Sequence, residues 1–161
     1  MNAFLAYFEN IRNRTRRVIA SIPPDQLEWT PTQGKFTFGD LIRHLAATER
    51  YMLAENVQGR PSRYPGHGRE LAHGYQNALG YLEEMHAETV QILGKVGDSG
   101  LETRIITPAG ISMTMWKWLR AMIEHEVHHR AQVYLMLGML GVDTPPLYGL
   151  TSEEVRERSA L

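Results

Sequence analysis

Residues 114–140 read TMWKWLRAMIEHEVHHRAQVYLMLGML, and the fold follows from how this stretch is turned. Trp118, Met122, His125, His129, Gln132 and Met136 fall on one stripe at helical spacing, and Gly141 closes the run, so the spacing predicts a helix over about 114–140. A helix turns about 100° per residue, which puts His125 and His129 on one face and His128 about 100° away from His129. Two histidines therefore point together on the stripe that also carries Met122 and Met136, the buried one. Burying two imidazoles without partners costs on the order of 1–3 kcal/mol each, which a metal ion would offset.

Three further amphipathic stretches flank this one. Phe4, Leu5, Phe8, Ile11, Val18, Ile19 and Ile22 share a helical face that ends at Pro23–Pro24. Its arginine-rich run RNRTRR (12–17) reads as a solvated face. After the turn-rich DQLEWTPTQGKF, Thr37 and Asp40 form a capping box that starts a second helix near 38, running to about 57. QGRPSRYPGHG (58–68) has no periodicity and is a long loop. Leu71, Tyr75, Ala78, Leu82, Met85, Thr89 and Ile92 mark a third helix over about 69–95, broken by Gly97 and Gly100. RIITPAG reads as an irregular or hairpin-like crossover, and Thr151 with Glu154 caps a short polar terminal helix. The pattern predicts an all-α chain: an antiparallel four-helix bundle with long crossover loops and a short C-terminal helix, one domain over 1–161.

Composition narrows the function. Seventeen Lys and Arg against eighteen Asp and Glu give a net charge of -1, which argues against a nucleic-acid partner. The absence of cysteine excludes a disulfide framework, a thiolate metal site and a cysteine nucleophile. The N-terminus has neither a signal-peptide pattern nor a membrane span, so the expectation is a soluble, cytoplasmic protein without membrane contact.

An open metal site needs a third protein ligand. His44, on the second helix between Leu41, Leu45 and Thr48, is favoured because a bundle brings that face against the fourth helix. His67 sits in the glycine-rich loop, and His73 and His86 fall on different faces of the third helix, which disfavours all three. His125, Glu126 and His129 also match H-E-x-x-H, the zinc-peptidase string. The extended form of that motif needs a glycine at 132 and a histidine at 135, where this chain has Gln132 and Leu135, and no strand is expected to bind a peptide. Glu124 and Glu126 read as solvated or dimer-facing, general bases only if the backbone brings either one to the ion.

IPPDQLEWTPTQG (22–34), DLIRHLAATER (40–50) and IEHEVHHRAQVYLMLGMLG (123–141) together resemble the DinB-like (DinB/YfiT) family of four-helix-bundle metalloproteins. The likeness covers most of the chain; Ala131 departs from the family's HHRGQ wording and leaves the histidines in place. The resemblance implies His44, His125 and His129 as ligands of one divalent ion, zinc or nickel, and a homodimer. It also implies a metal-dependent enzyme acting on a small molecule. That enzyme would be an S-transferase or isomerase using a low-molecular-weight thiol, or a hydrolase; a non-catalytic metal-binding stress module is the alternative. An ion on three neutral histidines would acidify a bound water or thiol. Gln132 is placed to orient a ligand imidazole, as well as to pack at the core edge. Thr48 and Tyr51, on the His44 face, are placed to line the open side or to pack. Asp40, one turn before His44, is explained by the capping box.

Overall fold

A computed structural model describes residues 1–159; the last two residues of the expected 1–161 domain lie outside the described residues. Helix α1 spans Asn2–Ile19, α2 spans Phe38–Thr48, and a π turn at Glu49–Leu53 carries it into a last turn, α3, at Ala54–Val57. Helix α4 spans Tyr75–Gly94, α5 Met115–Met139 and α6 Ser152–Ser159. Counting α2, the π turn and α3 as one rod, α1, α4 and α5 complete a four-helix bundle. The expected capping box is present: Thr37 Oγ1 accepts from the Asp40 amide at 2.9 Å, and Asp40 accepts from the Thr37 amide at 3.0 Å. No helix among the described residues is long and apolar enough to cross a membrane.

Side-chain pairs set the helix directions. Glu9 meets His86 and Arg16 meets Glu83, so α1 and α4 run antiparallel. Phe4 lies against Trp116 and Thr15 against Glu126, so α1 and α5 run the same way. Arg43 meets the Ala72 carbonyl and Glu49 meets His86, so the rod and α4 run the same way, and consecutive helices of like direction cannot be joined by a tight turn. The 58–74 connection is therefore a strap climbing back along the bundle.

Two elements differ from the sequence expectation, and a third, the crossover, takes the hairpin-like form of the two it left open. The third helix starts at Tyr75 rather than 69. Gly74, at φ 84°, interrupts the chain, and Arg43 takes the Ala72 carbonyl (3.2 Å) that a helix would have used itself, along with that of His67 (2.8 Å). The crossover is an ordered two-stranded hairpin, β1 (Arg104–Ile106) against β2 (Ser112–Thr114), with Ile105 buried opposite Met113. The RNRTRR run is not wholly solvated: Arg12 and Thr15 are buried, because the core supplies Glu49 and Glu126 as partners.

The apolar interior falls into two clusters. One gathers Val18, Phe38, Leu41, Leu45, Leu82, Val133 and Leu137; the other gathers Phe8, Ile11, Leu53, Leu93, Leu119 and Ile123. Between them lies a charged layer with one or more members from each helix: Arg12, Thr15, Glu49, His86 and Glu126. The histidines of α2 and α5 sit beside this layer, where His125 lines a small cavity with Arg12, Glu49 and Glu126.

Candidate metal centre

Spacing on two rigid helices brings His44, His125 and His129 together. The α5 pair is separated by one turn and α2 presents His44 opposite it, with the ligating atoms of all three within 4.8 Å of one another. His44 Nε2 lies 3.0 Å and His129 Nε2 3.1 Å from His125 Nε2. The three rings thus aim the same nitrogen at a common point.

The outer nitrogens decide what this point can hold. His129 Nδ1 lies 2.7 Å from Gln132 Oε1, an amide oxygen that can only accept, so His129 carries its hydrogen on Nδ1 and its lone pair faces inward. The Gln132 amide nitrogen lies 3.2 Å from His128 Nε2. His44 Nδ1 lies 2.7 Å from Tyr64 Oη and 3.4 Å from Thr48 Oγ1. Inward lone pairs at this spacing repel unless a hydrogen or a cation lies between them. Two nitrogens bound to a tetrahedral zinc stand about 3.3 Å apart, close to the observed separations. The residues present fit a divalent ion.

The electrostatics point the same way. Burial, then the charges of His129, His125 and His67, pushes His44 down to about 3. Burial, with His129 and His128, pushes His125 to about 4. Burial lowers His129 as well, against the opposing hydrogen bond it donates to Gln132. All three are therefore neutral near pH 7, the form that ligates.

The remaining expected residues fall as follows. Thr48 is buried beside His44. Tyr51 packs against the core with Arg50 over its ring at 5.3 Å, and its hydroxyl makes no hydrogen bond to the three histidines. Glu124 is exposed and pairs with Arg120. Glu126 departs from the solvated or dimer-facing expectation: it is 3 % exposed, accepting from Thr15 Oγ1 at 2.6 Å and facing Arg12 at 3.3 Å. A carboxylate so engaged is not free to polarise a water, which removes the glutamate from the H-E-x-x-H reading. His86 lies between Glu49 and Glu9 in the charged layer, and His73 on the surface at Asn77.

The sequence set His67 aside as a ligand and gave no sign of Tyr64 or Phe36 as site residues. Phe36 packs on His67 at 4.5 Å and on His44 at 5.4 Å between centroids. A cavity of about 390 Å³ adjoins the site, sharing Phe36 and Gln132 with it and continuing along Leu41, Leu135, Met136 and Met139. The only hint in the sequence was aromatic residues in non-periodic connections.

The fold and the three convergent imidazoles define a helical bundle with a candidate metal centre. The sequence model of the DinB superfamily matches residues 7–133, and the chain belongs to that family. It is 25% identical over 152 residues to the uncharacterized protein YjoA of Bacillus subtilis (strain 168), spanning 91% of this chain and 95% of YjoA. A DinB-like protein from Bacillus cereus superposes with a TM-score of 0.76 at 17% identity, covering 91% of this chain and 96% of its own. YfiT from Bacillus subtilis, described as a probable metal-dependent hydrolase with an unusual four-helix bundle topology, superposes with a TM-score of 0.67 at 16% identity, covering 88% of each chain. At these identities the solved structures establish the shared fold.

Proposed function

We propose that the protein is a metal-dependent enzyme that hydrolyses an electrophilic small molecule, with one divalent ion, zinc or nickel, held by His44, His125 and His129. The convergence of three Nε2 atoms, two of them 3.0 and 3.1 Å from the third, carries this reading. A bound ion would supply Lewis acidity, lowering the pKa of a water toward about 7. The chain's own residues do the rest. Gln132 holds the His129 hydrogen on Nδ1, Phe36 shields the His44 and His129 rings, and the adjoining apolar cavity offers room for the substrate's carbon skeleton.

The cavity favours an enzyme over a metal-storage or stress module, which has no use for an adjoining apolar space. The description of YfiT as a probable metal-dependent hydrolase supports hydrolysis in particular. Thiol transfer uses the same site: with no cysteine in the chain, the thiol would come from a low-molecular-weight cosubstrate. A homodimeric, cytoplasmic protein free of nucleic acid and membrane completes the reading.

Elemental analysis of the purified, untagged protein should find about one divalent ion per chain. His129→Ala should remove it. The zinc-loaded protein should hydrolyse some of a panel of activated esters, amides and lactones, and lose that activity to a chelator. Stoichiometric metal in His129→Ala would show that the ion lies elsewhere; turnover only with added thiol would favour transfer over hydrolysis.

A further inference from the structure

We propose that Tyr64 is a positioning residue of the three-histidine site: its hydroxyl fixes the His44 ring with hydrogen on Nδ1 and so directs the Nε2 lone pair at the centre. The role rests on the reading above that the histidines hold a divalent ion.

Tyr64 Oη lies 2.7 Å from His44 Nδ1 and 3.2 Å from His67 Nδ1. A phenol has one hydrogen to give, and an imidazole whose Nε2 serves a cation must donate through Nδ1. Both conditions are met when His44 donates to Tyr64 and Tyr64 donates to His67. Thr48 Oγ1, at 3.4 Å, is the weaker acceptor.

The strap is fastened on both sides of Tyr64. Before it, the Arg63 amide donates to the Tyr51 carbonyl in the π turn at 2.8 Å, while Arg60 and Arg63 reach the buried Glu55 at 2.6 and 2.9 Å. After it, Arg43 Nε donates to the His67 carbonyl at 2.8 Å, and Phe36 packs edge-on against the His67 ring. These anchors belong to the same rod as His44, apart from Phe36 just ahead of it. Tyr64 is therefore delivered to His44 by a frame that moves with it. The arrangement matches that on the other side of the site, where Gln132 links His129 to His128.

Two measurements test this on the full-length protein. In zinc-free wild type near neutral pH, the nitrogen-15 spectrum of the histidine rings should show His44 protonated at Nδ1, and Tyr64→Phe should shift it toward the Nε2-protonated form. By chelator competition, Tyr64→Phe should bind zinc about 10–100-fold more weakly, the usual cost of losing an outer hydrogen-bond partner, with an unchanged melting temperature. An Nε2-protonated His44 in the wild type, or a zinc affinity in Tyr64→Phe equal to that of the wild type, overturns the role of Tyr64 and leaves the metal reading standing. A wild type that binds neither zinc nor nickel overturns the metal reading instead, and the nitrogen spectrum, which needs no metal, then decides only whether Tyr64 sets the His44 tautomer.

Discussion

A histidine ligand is made by its second nitrogen as much as by its first. His129 illustrates this, because Gln132 Oε1 at 2.7 Å leaves only one place for the ring hydrogen. Gln132→Leu removes that acceptor and should weaken zinc binding about 10–100-fold, whereas Gln132→Glu, which still accepts, should stay near wild type; competition titration against a chelator separates the two. The i,i+4 relation of His125 and His129 was legible in the sequence because helical spacing is local, and His44 followed from asking which face a bundle turns toward them. Tyr64 and His67 were not legible. Their place depends on Arg43, Arg60 and Arg63 finding partners far along the chain, and no period in 58–68 records those partnerships.

At the level of helices, the amphipathic patterns located the rods well, and the errors fell where a charge turned inward. On α1, Arg12 belongs to the same arginine-rich run as Arg14, Arg16 and Arg17 yet points into the bundle, between Glu49 of the π turn and Glu126 of α5. A run of arginines reads as a surface because nothing local announces the carboxylates that will meet it. Removing the cation would leave two buried carboxylates facing each other. Arg12→Leu should therefore destabilise the fold by about 3–5 kcal/mol in chemical denaturation, far beyond an ordinary surface substitution. The cap of α2 makes a contrasting case, since Thr37 and Asp40 are three residues apart and were legible for that reason. Thr37→Ala should cost only about 1 kcal/mol by the same measurement.

Across the whole molecule, the charged layer separates two apolar clusters and touches the metal centre through His125, and its one histidine, His86, has the opposite demand to the histidines of the centre. Burial holds His44 at about 3 and His125 at about 4. Between the ordinary histidine value of about 6.5 and those values, the unfolded chain binds protons that the folded chain refuses, so stability falls as the pH falls. His86 behaves in the reverse sense. Burial opposes its charge, but hydrogen bonds and charge from Glu49, aided by Glu9, outweigh burial and raise its pKa. Its contribution is complete below about 6.5 and is lost as the pH rises through the raised value, because there the folded state holds a proton that the unfolded chain releases. The zinc-free protein should accordingly be most stable just above pH 6.5 or so, weakening on both sides. Urea midpoints measured across that range should show both limbs in the wild type. His86→Gln should flatten the alkaline limb and leave the acid limb, because the glutamine cannot hold a proton between Glu49 and Glu9. Zinc should deepen the acid limb, since each proton taken up by His44 or His125 displaces the ion as well as burying a charge. An alkaline limb that survives in His86→Gln would assign it to another group and would leave His86 neutral, donating to only one of the two carboxylates.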